Sequence, residues 1–305
     1  MSRSERIGCR PEVRAPAARH GAEPRILPML FSYTSRTAAA LWLACTAAHA
    51  QLIEEVPFIT SPDNVTLEML SMAGVQQGDH VIDLGSGDGR IVILAAKRFG
   101  ASGLGVEIDP NLVARSNANA RDAGVAGRVQ FREQDLFKTD LSAASVITMY
   151  LLQEVNLALR PALLGLAPGT RIVSHDWDMG DWAPDRTSVV AVPDKKVGME
   201  KSSKVHLWVV PARVEGLWCG TGLMRGGSLQ LGQKFQAFEG TLRWRDRSRE
   251  LAGRIAGNEL RAPAGRHGEL VMQAAGDTLR ITGAQGNLVL AQGQSFQRAA
   301  GGSCG

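Results

Sequence analysis

Between residues 81 and 90 the chain reads Val-Ile-Asp-Leu-Gly-Ser-Gly-Asp-Gly-Arg, an apolar run that breaks into three alternating glycines. Glycine tolerates positive φ and leaves space for a ligand against the backbone, so the run predicts a strand entering a tight turn. Ile91, Leu94, Ala95 and Arg98 follow at helical spacing and predict a helix over 90–99. A strand, a glycine turn and a helix N-terminus open an α/β unit whose ligand lies at the strand's carboxyl end.

The alternation continues. Residues 103–108, 128–133, 145–150 and 171–174 read as strands, with helices over 110–123 and 155–166, and 187–192 and 205–210 add two more strands. This predicts an α/β doubly wound sheet within residues 51–211. After Pro211 the character changes, with 18 Gly in the last 94 residues and alternating runs at 235–244, 255–261, 270–273, 278–282 and 287–291. Residues 212–305 read as a small antiparallel β-domain, barrel or sandwich, with no site constellation of its own.

Charge divides along the same lines. Residues 1–50 hold seven Arg against three acids, 51–211 hold 15 Lys and Arg against 20 acids, and 212–305 hold 12 against seven. The net values are +4, −5 and +5, so the segment expected to hold the chemistry is acidic. That argues against a phosphate-binding face there, and against a nucleic-acid partner.

Residues 1–50 read as a disordered N-terminus followed by a signal-peptide-like segment. Arg36 precedes an apolar run over 37–48, and Ala48-His49-Ala50 has the small-x-small pattern of a cleavage site. Cleavage after Ala50 makes Gln51 the first residue of an exported, periplasmic protein. The alternative is a membrane anchor that keeps the protein facing the cytoplasm. Of Cys9, Cys45, Cys219 and Cys304, cleavage leaves the last two, and a bond between them suits an oxidising compartment. No CxxC or Cys/His cluster suggests a metal.

The ligand class follows from the acids around the glycine turn. A dinucleotide fingerprint needs a third Gly where Arg90 stands, and Asp83 and Asp88 sit badly beside a pyrophosphate. They suit a ligand with a positive amino group. Glu107 ends the second strand, 24 residues after Asp83, where a carboxylate can take both ribose hydroxyls. Asp135 follows the third strand, where it can accept from an adenine amino group.

Together these residues resemble the class I S-adenosylmethionine-dependent methyltransferases over residues 54–211. The resemblance implies S-adenosylmethionine as cofactor. It implies Asp83, Gly85 and Gly87 at the methionine end, Glu107 on the ribose, Asp135 and Leu136 at the adenine, and Ile108 packed on the adenine face. Val56-Pro57-Phe58, Ser61-Pro62, Tyr150-Leu151-Leu152, Ser174-His175-Asp176 and Gly180-Asp181-Trp182 carry a narrower likeness. They resemble the protein-lysine methyltransferases that modify the ATP-synthase c-ring and the adenine-nucleotide translocase, with their bacterial relatives. That likeness implies a protein substrate carrying a lysine acceptor.

A lysine must lose its proton before it attacks, and an apolar pocket with a carboxylate nearby favours this. The candidates at the ends of strands four and five are Tyr150, Glu154, His175, Asp176 and Trp177. Tyr150 and Trp177 would wall the amine's channel by cation–π contact. Each also has an ordinary reading: Tyr150 as packing, Glu154 as a helix cap, His175 as a satisfied buried histidine. Met149-Tyr150-Leu151-Leu152 stands where methyltransferases of adenine or glutamine amino groups carry an Asn/Asp-Pro-Pro-Tyr/Phe run. Two alternatives stay open: a small-molecule methyltransferase using the same cofactor, and an exported binding protein whose cofactor site is vestigial.

Overall fold

The computed structural model describes residues 59–196, 200–264 and 268–304. The leader at 1–50 with Cys9 and Cys45, the start at Gln51, and Val56-Pro57-Phe58 lie outside the described residues.

His80–Leu84 (β1) pairs in parallel with Ser102–Glu107 (β2) on one side and Val146–Met149 (β4) on the other. A strand covered on both edges and both faces reads as a continuous apolar run, which is why Val81, Ile82 and Leu84 are all buried. Each fully buried aliphatic side chain contributes about 1.5–3 kcal/mol. Val129–Glu133 (β3) adds beyond β2, and Arg171–His175 (β5) beyond β4. Arg186–Ala191 (β6) and Ser202–Val209 (β7) form an antiparallel hairpin whose β7 pairs with β5, giving the order β3-β2-β1-β4-β5-β7-β6. The chain turns outward from β1 in both directions, so a crevice opens at the carboxyl ends of β1 and β4.

Helix Arg90–Phe99 (α2) buries Ile91, Val92, Ala95 and Ala96, and ends at Gly100 in the left-handed conformation. It spans the predicted residues. Pro110–Asp122 (α3) and Gln153–Leu163 (α4) follow the prediction within a few residues. Asp63–Met72 (α1) has no counterpart among the predicted elements; it lays Val65, Met69 and Leu70 against Val173 and Val205 of the sheet.

The last segment is a closed barrel of eight strands, β8 (Gly216–Gly220) to β15 (Ser295–Arg298), in the order β10-β11-β12-β13-β14-β15-β8-β9. Phe296 opposite Gly220 closes it, and Cys219 is bonded to Cys304. Three expected strands differ. The 235–244 run has its turn at Phe235-Gln236, between β9 (Ser228–Lys234) and β10 (Ala237–Trp244). The 255–261 run is split by Gly257, at φ +56°, into the ends of β11 (Arg247–Ala256) and β12 (Glu259–Pro263). The 287–291 run is a 3-10 turn. Its neighbour β14 (Thr278–Ala284) already pairs with β13 (Glu269–Ala275) and β15, so no strand edge is left for it.

The barrel is fastened to the sheet through the β9–β10 turn. Phe235 lies stacked on buried Trp182, ring centroids 6.0 Å apart, and Trp208 Nε1 donates to Trp182 O at 2.7 Å. Gln236 Nε2 donates to Ala183 O at 2.6 Å. Asp185 takes Val209 N on one oxygen and Arg254 on the other, at 2.9 and 3.0 Å. Asp185→Ala leaves Val209 N and Arg254 without their acceptor, and is expected to cost about 1–3 kcal/mol. Urea unfolding measures this, and an unchanged midpoint would show that Asp185 does not tie the domains.

Candidate active site

The turn after β1 is built by its glycines. Gly85, Gly87 and Gly89 all have positive φ, between 53° and 80°. A Cβ on Gly85 would stand 3.0 Å from Leu151 Cδ2, and one on Gly89 2.6 Å from Phe131 Cζ. Both positions therefore demand glycine on conformation and on space.

Asp83, one residue before the end of β1, has its carboxyl almost wholly buried and accepts one hydrogen bond, from Thr148 Oγ1 at 2.7 Å. Burial, with the charges of Glu107 and Asp88, pushes it up to about 7. A buried carboxylate with no cationic partner is costly. A ligand ammonium relieves that cost, and this is the structural fit to an amino-acid end. Glu107 accepts from Gly87 N at 2.9 Å on one oxygen, and from Ile108 N at 2.8 Å and Asp109 N at 3.2 Å on the other. The oxygen on Gly87 N keeps a lone pair for a hydroxyl donor. Ile108 is 68% exposed, an apolar surface that a flat ring would cover.

Two of these acids already have partners within the chain. Asp88 does not face a ligand amine: Arg90 grips it through Nη2–Oδ2 at 2.7 Å and Nε–Oδ1 at 2.9 Å. Burial works against its charge, but the guanidinium holds Asp88 below the usual carboxylate range. Asp135 caps the 3-10 turn Leu136–Lys138, accepting from Phe137 N at 2.9 Å, with Lys138 Nζ at 3.3 Å. An adenine amino group there meets a carboxylate already partly engaged. Leu136 packs inward against the core beneath β1 and β4.

The acceptor candidates gather at the ends of β4 and β5. The Tyr150 ring stacks on His175, centroids 3.9 Å apart. Burial and the Asp176 charge raise the Tyr150 phenol above its usual range, so it keeps its proton as a donor. His175 is buried, with Ser61 Oγ 2.8 Å from Nδ1 and Ser203 Oγ 2.9 Å from Nε2. Burial, aided by nearby Lys195 and opposed by Asp176, pushes it down to about 4. It is a neutral, fully engaged ring that orients its neighbours rather than moving protons.

Asp176 sits at φ +63°, rare outside glycine but tolerated by aspartate. It is locked there by Asp176 N donating to Lys204 O at 2.7 Å and Lys204 N donating to Asp176 Oδ1 at 2.9 Å. Its other oxygen holds Lys195 Nζ at 2.8 Å. Trp177 is 41% exposed beside it. Glu154 stands exposed in the first turn of α4, with no ion pair or side-chain hydrogen bond among the described residues.

Sequence patterns do not mark Lys195, Ser203, Thr148 or the work of Ser61. Ser61 reaches His175 through its hydroxyl, and its carbonyl takes Arg90 Nη1 at 2.9 Å. A residue just ahead of α1 thus stitches the glycine-turn helix to the acceptor cluster.

A family model described as the ANTKMT methyltransferase domain matches residues 83–186. A protein-lysine N-methyltransferase of Saccharolobus islandicus is 40% identical over 160 residues, 52% of this chain and 96% of that relative. An adenine nucleotide translocase lysine N-methyltransferase of Mus musculus is 30% identical over 43% of this chain, which spans 57% of the mouse protein. Among solved structures, an RNA methyltransferase of Salinibacter ruber in complex with S-adenosyl-L-homocysteine is 50% identical. That alignment covers 51% of this chain and 96% of the other, with a TM-score of 0.46.

If Asp83 receives a ligand ammonium, affinity depends on its ionisation. Below about pH 7 the group is protonated and cannot pair; above it, the pair forms. S-adenosylhomocysteine is therefore expected to bind more tightly as pH rises through 7, with protons released on binding, and Asp83→Asn to flatten the profile. Calorimetry in two buffers reads both. A flat wild-type profile with no proton release would move the amino group elsewhere.

Proposed function

This chain belongs to the S-adenosylmethionine-dependent protein-lysine methyltransferase family, and from that premise we propose that its own acceptor is a lysine amine on a protein. The observation that carries the reading is an internal lysine: Lys195 Nζ donates to Asp176 Oδ2 at 2.8 Å and to Ser202 O at 2.7 Å, near the stacked Tyr150 and His175 rings. The carboxylate holds an amine, and Lys195 stands in for the acceptor.

Bound S-adenosylmethionine supplies a sulfonium methyl, whose C–S bond breaks as the N–C bond to the acceptor forms. Asp83, the glycine turn and Glu107 would hold the cofactor's polar ends, through acceptor capacity left free on the two carboxylates. Asp176 receives the acceptor ammonium, aligns it and takes its proton on Oδ2. His175 fixes the Tyr150 ring and, with Ser61 and Ser203, keeps the wall of the channel rigid. Leu151, packed toward Gly85, joins that wall to the cofactor turn.

Asp176→Asn and Tyr150→Ala are expected to lower turnover about 10²-fold or more while S-adenosylhomocysteine affinity stays within about twofold. Glu107→Ala is expected to weaken that affinity by about 1–3 kcal/mol. Radiolabel transfer followed by mass spectrometry identifies the acceptor. Label on lysine supports the proposal; label on RNA, or on a small molecule alone, overturns it.

We also propose that the chain is exported. The bonded Cys219–Cys304 pair, 85 residues apart, supports an oxidising compartment. Thiol counts on protein from fractionated cells, with N-terminal sequencing, check this. An uncleaved chain in the cytoplasmic fraction with two free thiols at 219 and 304 overturns it.

A further inference from the structure

The barrel has two ends of different character. At one, the turns at Phe235-Gln236 and Gly257 meet the sheet domain. β10 and β11 run from there to a hairpin at Arg245-Asp246, on the order of 25 Å away at about 3.3 Å per residue. Three of the connections on this far rim are consecutive around the barrel: the β14–β15 link, the β8–β9 link and the β10–β11 hairpin. They touch one another. Leu223 N donates to Gln294 Oε1, and a Cβ on Gly227 would stand 3.1 Å from Trp244 Cδ1.

The rim carries arginine and bare aliphatic side chains. Arg225, Arg243, Arg245, Arg247 and Arg249 make no ion pair or side-chain hydrogen bond among the described residues. The acids on this hairpin are Asp246 at the tip, Glu250, which takes the Thr241 hydroxyl, and Glu239, nearer the sheet domain. Leu223 is 76% exposed, Val289 55% and Leu290 88%. Isolated exposed leucines are ordinary; three aliphatic tips on adjoining loops beside five unpaired guanidinium groups are a surface with a sign and a texture.

We propose that this rim docks on an anionic lipid bilayer. The guanidinium groups attract acidic headgroups, and the leucine and valine tips enter the boundary between headgroups and acyl chains. An RNA partner would call for open aromatic faces on which bases stack. The rim's aromatic, Trp244, is half-buried and covered by Arg245, whose guanidinium lies 4.5 Å from the ring centroid. The lipid reading draws on no residue of the methyl-transfer site and is independent of the acceptor.

The test is co-sedimentation of the full chain with vesicles of phosphatidylcholine alone and of phosphatidylcholine with about one-third phosphatidylglycerol. Three proteins are compared: wild type, R243E/R245E/R247E, and L223S/L290S. The wild type is expected to bind the anionic vesicles and to be released by high salt. The charge variant is expected to lose about tenfold or more of that affinity and the serine variant several-fold. Methyl transfer is expected to be unchanged in both, which shows that they fold. Equal binding by wild type and charge variant overturns the proposal, because the segment at 37–48 is common to both. So does wild-type binding to a single-stranded RNA or an acidic peptide with none to anionic vesicles.

Discussion

The pairing of β1 on both edges is the constraint on which the site rests. It buries Asp83 near the strand's end and leaves one hydroxyl, that of Thr148, to satisfy it. β4 supplies Thr148 and, one residue past its end, Tyr150. β2 ends in Glu107, whose carboxylate reaches back to the glycine turn. Three adjacent parallel strands thus bring the glycine turn, Asp83, Glu107 and Tyr150 to one end of the sheet with no long loop between them. A fold that moved β1 to an edge would expose Asp83, and the electrostatic demand for a positive ligand would go with it.

The acceptor side depends on elements that are distant in sequence. Ser61 and His175 are 114 residues apart, and Lys195 reaches Asp176 because β7 returns antiparallel to β5. The loop after Asp176 is held from two sides. Asn156 Nδ2 on α4 donates to Trp177 O at 3.1 Å, while Phe235 of the barrel packs on Trp182. The barrel's contact with the methyl-transfer domain therefore lands on the segment that continues from the acceptor cluster.

These distances explain what was legible in the sequence. Strand β1, the glycine turn and α2 were readable, since each is a local pattern over about ten residues. Glu107 was readable because a strand-end acid follows from strand placement alone. Ser61, Ser203 and Lys195 were not, because their partners are set by the packing of α1 on the sheet and by the pairing of β7 with β5, which leave no mark on spacing. Asp88 was misread for the opposite reason: its partner Arg90 is only two residues on, and a reading aimed at ligands overlooked a neighbour. The 287–291 run alternates like a strand, yet closure of the barrel had used every edge.

The lysine held on Asp176 bears on discrimination. Lys195 is held in place by its own chain, with Nζ also donating to Ser202 O at 2.7 Å, so it needs no recruitment to the carboxylate. On the proposed reading, an incoming amine competes with a ligand that never diffuses away. An amine that brings nothing else loses that contest. An acceptor that brings further contacts from its own flanking chain wins it, and the strength of those contacts becomes the threshold for entry. The resident side chain thus acts as a built-in standard, against which each candidate acceptor is weighed before any methyl is committed.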